Sequence, residues 1–312
     1  MRRTIGLIVV MATLATAAVN YSYDNAGRLT KVDYGAAGQI VYAYDKAGNL
    51  LSRTAGPSTG GGSVIISANT AGSPASAGIA QNTWVEIRGS NLVAANTPAV
   101  GVIWSTAPEF QQGQMPVQLG DVSVTVNGKA AYIYFFCSAV TSPICASDQI
   151  NVLTPLDTNV GTAQIVVKAG NISSAPFTVS VKPVVPSLLM FSPLGYVVAT
   201  HPDFSLLAPA TLYPGFSTPA TAGETVTLWA VGFGLPTTTL TPGSSVQSGS
   251  LVPMPVCTIA NAPVSVSFAG VVSPGLYLLN IKVPLETAPG DKAISCSYGG
   301  GSTPPGDLIS VQ

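Results

Sequence analysis

Residues 149–170 of this chain recur 129 positions downstream. Gln149-Ile150-Asn151-Val152-Leu153-Thr154-Pro155 lines up with Leu278-Leu279-Asn280-Ile281-Lys282-Val283-Pro284, Gly161-Thr162-Ala163-Gln164-Ile165-Val166-Val167 with Gly290-Asp291-Lys292-Ala293-Ile294-Ser295-Cys296, and Gly170 with Gly299. Upstream, Val124-Thr125-Val126 aligns with Cys257-Thr258-Ile259 at an offset of 133, so the first copy is longer by four residues in the stretch Cys137 to Cys145. A chain that carries one apolar pattern twice must bury the same kind of core twice, and this restricts it to two tandem units of one fold.

Within each unit the texture is that of short strands. Thr83–Arg88, Val122–Val126, Tyr132–Phe136, Gln149–Leu153, Ala163–Lys168 and Phe177–Val181 are rich in Val, Ile, Thr and Tyr and are separated by Gly, Pro, Asn and Ser. Their spacing of about 8 to 15 residues, with no sustained helical period, predicts an all-β immunoglobulin-like sandwich. The units are expected at 64–182 and 183–312, joined by Val181-Lys182-Pro183-Val184-Val185-Pro186, where two prolines restrict the backbone.

Charge excludes several classes of function. Only 8% of the 312 residues are Asp, Glu, Lys or Arg, against about 25% in ordinary soluble proteins, while 47% are hydrophobic and the mean hydropathy is +0.44. The 32 Gly and 25 Pro interrupt every apolar run beyond the first twenty residues, so no later stretch approaches the ~20 residues that span a bilayer. Twelve basic and thirteen acidic residues form no block of like sign, which argues against a nucleic-acid surface.

Arg2 and Arg3 precede an apolar stretch from Ile5 to Val19 that ends in Ala15-Thr16-Ala17-Ala18, the pattern of a secretory signal over 1–18. Its retention as an anchor is the alternative, disfavoured because a run broken by Thr13 and Thr16 is short for a span. Cleavage leaves ten basic against thirteen acidic residues, net −3, with no membrane span, in a compartment where cysteines oxidise. A secreted or cell-surface location is expected.

Tyr23-Asp24-Asn25-Ala26-Gly27-Arg28-Leu29 returns 21 residues later as Tyr44-Asp45-Lys46-Ala47-Gly48-Asn49-Leu50. Alternating tyrosines lead into an Asp-x-x-Gly turn, and a leucine opens the returning strand, so 19–54 is expected to form hairpins. The pattern resembles the YD repeat of the RHS proteins, in which many such hairpins coil together. Two of them bury too little to stand alone, and a spacer or remnant is the plain reading. Residues 55–63, Ala-Gly-Pro-Ser-Thr-Gly-Gly-Gly-Ser, have the composition of a flexible linker.

The runs Ala71-Gly72-Ser73-Pro74-Ala75-Ser76-Ala77-Gly78-Ile79-Ala80, Thr83-Trp84-Val85-Glu86-Ile87-Arg88-Gly89-Ser90-Asn91-Leu92 and Val122–Tyr132 resemble the Solibacter-type C-terminal domain of secreted acidobacterial proteins, and Tyr196–His201, Gly223–Val226, Gly232–Gly234 and Ser267–Gly270 agree in order. Val85–Leu92 is also similar to the second strand of IPT/TIG immunoglobulin-like modules. The resemblance implies a secreted or surface module and supplies no catalytic residues. The Cys137 to Cys145 insertion departs from it, standing where the family has a short turn.

The residues offer little chemistry. His201 is the one imidazole; Asp203 and Ser205 share its irregular segment, without the strand-turn-helix setting of a nucleophile. One His and four Cys do not make a zinc site. Asp121, Asp148, Asp157, Asp203, Asp291 and Asp307 stand apart rather than in the alternating order of a calcium loop. Glu86 and Glu224 lie in different copies, unsuited to a glycosidase pair. No catalytic residue, metal or cofactor is expected. The function read from the sequence is a noncatalytic module for adhesion, spacing or binding of an extracellular glycan or surface protein. An accessory region of a polysaccharide-degrading or RHS-type toxin-delivery system is the alternative.

Candidate binding residues are the aromatics outside the strands, Trp104, Phe110, Phe204, Tyr213 and Phe216, because exposed rings offer large contact areas. Trp84 and Trp229 read instead as core or sheet-face residues. Four cysteines allow three pairings. Cys257 and Cys296 replace Val124 and Val167 of the first copy, both on inward-alternating strands, and Cys137 and Cys145 flank the insertion. The expected bonds are Cys137–Cys145 and Cys257–Cys296, which keep each bridge within one unit.

Overall fold

A computed structural model describes residues 19–34, 39–56, 63–72, 78–191 and 194–312. The apolar leader 1–18 and most of the linker lie outside the described residues. Among those residues no helix is long and apolar enough to cross a membrane, and the fold is all-β.

Strands β1 (Asn20–Tyr23), β2 (Leu29–Asp33), β3 (Gln39–Tyr44) and β4 (Leu50–Gly56) form an antiparallel meander. Each Asp-x-x-Gly turn is held by its own aspartate. Asp24 Oδ1 accepts from the Ala26 and Arg28 amides at 2.9 Å, and Asp45 Oδ1 from the Asn49 amide at 2.8 Å. These bonds hold both carboxyls below the usual aspartate range, through the Arg28 amide at Asp24 and the Asn49 side chain at Asp45. Gly27 and Gly48 sit at φ +78° and +94°, a conformation glycine adopts without strain. Arg28 stacks on the Tyr44 ring at 4.9 Å and ties the two repeats together. Val32 is the apolar side chain this sheet buries, while Tyr21, Tyr23, Leu50 and Leu51 stay more than half exposed.

The first sandwich follows. One sheet orders β5 (Val64–Thr70), β6 (Trp84–Ser90), β9 (Asp148–Leu153) and β8 (Tyr132–Cys137), with residues 102–103 at its edge; the other pairs β7 (Val122–Val126), β10 (Gly161–Ala169) and β11 (Phe177–Val181). Alternation puts Val85, Ile87, Ile133, Ile150 and Val152 of one sheet against Val122, Val124, Ile165 and Val167 of the other, all essentially inaccessible to solvent.

The second sandwich is built from β12 (Thr225–Val231), β13 (Val256–Ile259), β14 (Ala262–Ser273), β15 (Leu276–Lys282), β16 (Gly290–Tyr298) and β17 (Leu308–Val311). The twelve-residue β14 changes partner along its length: Ala262–Val264 pair with β13, and Ser265–Ser273 with β15. In the first copy the same passage is broken at Ala131 into 129–130 and β8.

Ladder positions relate the two copies residue by residue. Asn151 lies opposite Glu86 and Phe135, and Asn280 opposite Thr227 and Phe268. Both copies carry a bulge at the same place, between Ile133 and Phe135 and between Val266 and Phe268. The structure pairs Cys137 with Cys145 and Cys257 with Cys296, bonds that fit an extracytoplasmic location. Where the second copy turns at Pro274-Gly275, the first inserts the cystine loop, anchored by buried Asp148. That carboxylate accepts from the Leu92 and Ala139 amides at 2.9 Å each and from Ser138 Oγ at 3.2 Å.

The two sandwiches meet in a packed seam. Asn82 and Gln247, both buried, exchange amide hydrogen bonds at 2.9 and 3.1 Å. Trp84 Nε1 donates to the Pro274 carbonyl at 2.7 Å. Gly275, at φ +61°, rests on Leu153, where a β-carbon would come within 2.4 Å of that side chain. The Met115 amide reaches the Gly243 carbonyl at 2.7 Å.

Candidate functional site

The outer face of the β5–β6–β9–β8 sheet carries the densest group of rings on the molecule. With Val85 and Ile87 turned inward, Trp84, Glu86 and Arg88 point out from β6, and Gln149 and Asn151 point out from β9. The bulge in β8 shifts the alternation, so Tyr134 and Phe135 both leave the core. Trp104 stands on a single helical turn, 104–106, and Phe110 on a second, Pro108–Gln111, which opens with a proline.

Trp104 is the centre of the group. It stacks on Phe110 at 4.7 Å between centroids and meets Trp84 and Tyr134 edge-on at 5.5 and 5.0 Å; Trp84 and Tyr134 are 5.4 Å apart. All four rings are half-buried. Burial raises the Tyr134 phenol, which stays neutral and free to hydrogen-bond at any physiological pH.

Beside the rings runs a polar row. Glu86 Oε1 accepts from Arg88 Nε at 2.5 Å, Gln149 Nε2 donates to Glu86 Oε2 at 3.0 Å and to Asn151 Oδ1 at 2.9 Å. One negative and one positive charge cancel within it.

The other sequence-predicted aromatics lie elsewhere. The strands 206–207 and 217–218 pair in parallel and bring two loops of the second sandwich side by side. Phe204 and Phe216 are 69% and 80% exposed there, whereas Tyr213 leans on Phe191 at 5.5 Å. The five candidates therefore divide into Trp104 with Phe110 and a separate group of three. Trp84 is a sheet-face residue, and Trp229 packs against the small cluster of Phe191, Val198 and Ala208. Tyr134, Glu86, Arg88, Gln149 and Asn151 went unmarked as binding residues. Their signal was the polar-apolar alternation of β6 and β9, visible but generic.

His201 is held at both ring nitrogens. Nδ1 lies 2.6 Å from Glu224 Oε1, and Nε2 lies 3.0 Å from Thr218 Oγ1. Ser205 Oγ bonds to Asp203 at 2.6 Å rather than to the imidazole. Glu86 and Glu224 are engaged by different partners, Arg88 and His201. A cleft of about 440 Å³ opens at the seam between Lys129, Asp157 and Thr237–Thr239, with Lys129 Nζ 3.1 Å from Asp157. Among the described residues no three His, Cys, Asp or Glu side chains gather as metal ligands.

Residues 23–59 match the model of the RHS Repeat family. No curated protein matches the chain. Among solved structures it is similar to SGBP-B of the Bacteroides ovatus mixed-linkage glucan utilization locus, in complex with a mixed-linkage heptasaccharide, at 9% identity and TM-score 0.33 over 93% of this chain and 57% of that one. It is also similar to SGBP-B from a Bacteroides uniformis complex xyloglucan utilization locus, at 17% identity and TM-score 0.22 over 79% and 49%. The adhesin InvE of Yersinia pseudotuberculosis follows at 11% identity and TM-score 0.20 over 78% and 58%. The chain thus spans about half the length of these proteins, and at these scores the likeness assigns no function.

Proposed function

We propose that the protein is a noncatalytic binding or adhesion module of the cell surface or extracellular space, with 64–182 and 183–312 as its two immunoglobulin-like units and 19–54 as a hairpin spacer ahead of the 55–63 linker. The signal-like leader and the two cystines support the location. One observation carries the binding reading: Trp84, Trp104 and Tyr134 meet, half-buried, on the outer face of a sheet whose inner face already holds the core, while Phe110, stacked on Trp104, packs against that core. The family resemblances to Solibacter-type and IPT/TIG modules belong to this same reading. The RHS-repeat match over 23–59 is consistent with a second one, an accessory region of an RHS-type toxin-delivery system.

The test is binding without turnover. The oxidised chain is applied to an array of glycans and extracellular matrix proteins, and each retained oligosaccharide is chromatographed before and after incubation. Retention with no change in the oligosaccharide, or retention of a matrix protein, is expected. Cleavage of a retained oligosaccharide, or no retention of anything, would overturn the reading.

A further inference from the structure

The duplication supplies an internal control for the aromatic face. Ladder positions equate Trp84 with Thr225, Glu86 with Thr227, Tyr134 with Ser267 and Gln149 with Leu278, whereas Asn151 and Asn280 are the same residue. The second sandwich keeps the same bulge and a closed core with Thr, Thr, Ser and Leu at these four places. The scaffold therefore closes without the Trp84 and Tyr134 rings and without the Glu86–Arg88 pair, while at the matching places it carries Trp229 for Arg88 and a Thr227 Oγ1 to Asn280 Oδ1 hydrogen bond of 2.9 Å.

We propose that this face, with Trp104 and Tyr134 as the stacking surface and Glu86, Arg88, Gln149 and Asn151 as the polar edge, binds a neutral polysaccharide built of pyranose rings. The inference rests on the binding reading above and narrows it to one ligand class. Such a sugar has two chemically different borders: a flat face of C–H groups, which suits the electron-rich face of an aromatic ring, and a rim of hydroxyls, each both donor and acceptor. Rings and a carboxylate–guanidinium–amide row side by side match these two borders. The row is internally neutral and its members already bond to one another, so they are held in place before a ligand arrives, which lowers the ordering cost of binding. An acidic polymer would have to displace Glu86 from Arg88.

Native gel electrophoresis of the intact oxidised chain through gels containing hydroxyethyl cellulose, galactomannan or alginate tests this. Retardation is expected in at least one of the two neutral polymers and not in alginate. W104A should weaken it at least tenfold, and N151A threefold to tenfold, while F204A/F216A, in the other sandwich, should leave it unchanged. A circular dichroism melt of each variant shows whether it is folded, and Y134S, which installs the second copy's own residue, provides a second variant should W104A unfold. Retardation by alginate alone, or retardation untouched by W104A, Y134S and N151A, would overturn the proposal. Binding of a matrix protein on the array with no retardation by either neutral polymer would overturn it too, while leaving the binding reading intact.

Discussion

Cys257 and Cys296 face each other across neighbouring antiparallel strands with their Cα atoms 4.0 Å apart, the position at which Val124 faces Val167 in the first sandwich. One ladder rung is thus closed by packing in one copy and by a covalent bond in the other. The valine pair shows that the rung needs no cystine to form, so C257V/C296V should fold. The loop of about 40 residues that the bond closes gives an entropic stabilisation of about 4 kcal/mol, reduced by whatever packing the valines restore. Urea unfolding should show the variant less stable by about 2 to 4 kcal/mol with native strand content by circular dichroism.

The seam is expected to behave as one unit. Asn82 and Gln247 bond each other's amides in a buried position, and Gln247 Oε1 also accepts from the Gly275 amide at 3.2 Å, so removing either leaves buried polar groups of the other without partners. N82A and Q247A should each cost about 1 to 3 kcal/mol, and the double variant little more than one alone. A double-mutant cycle from urea unfolding measures the coupling; strictly additive losses would mean that the pair does not hold the seam.

Stability should fall as pH rises through a window set by Asp307. This side chain is buried, its Oδ2 meets no hydrogen-bond donor among the described residues, and burial pushes its carboxyl up to about 7 from an ordinary 3.8. Well below pH 3.8 it is protonated folded and unfolded alike. Between about 4 and 7 the unfolded chain has released the proton and the folded chain has not, so stability declines; above 7 the loss is complete. D307N should therefore be more stable than the parent at pH 8, by about 2 to 4 kcal/mol, and nearly equal to it at pH 4. Paired thermal melts at the two pH values decide it.

The hairpin sheet buries little beyond Val32 and leaves Tyr21, Tyr23, Tyr34, Leu50 and Leu51 exposed, so it adds little to the sandwiches. A chain lacking 19–56 should melt within about 2 °C of the parent, an effect of a few tenths of a kcal/mol. A drop of several degrees would show that the hairpins pack on the remainder.

Much of this architecture was legible because a sheet imposes its period on the side chains. Val85/Ile87 and Ile150/Val152 had to alternate, and a duplicated gene kept Asn151 and Asn280 in step. The partner exchange along β14 was not legible, since Ala262–Ser273 reads as one strand whichever sheet it joins. The site was legible only in part. Trp104 and Phe110 stood out as rings outside strands, and so did Phe204, Tyr213 and Phe216, which the fold places elsewhere. What gathers Tyr134 to Trp104 is a bulge, a one-residue change of register that leaves no mark on composition, and what brings Trp84 alongside is a turn of the other sandwich, Pro274-Gly275, 190 residues away.

Tryptophan accessibility tests the central claim most directly. Two of the three tryptophans, Trp84 and Trp104, lie on the proposed face, while Trp229 is packed in the second sandwich. Acrylamide quenching of the intact chain is measured with and without saturating hydroxyethyl cellulose or galactomannan. The account predicts that one of these polymers shields the fluorescence of the parent and of F204A/F216A, and that W104A loses the shielding. Quenching that neither polymer changes, or shielding that survives W104A and disappears in F204A/F216A, would contradict it.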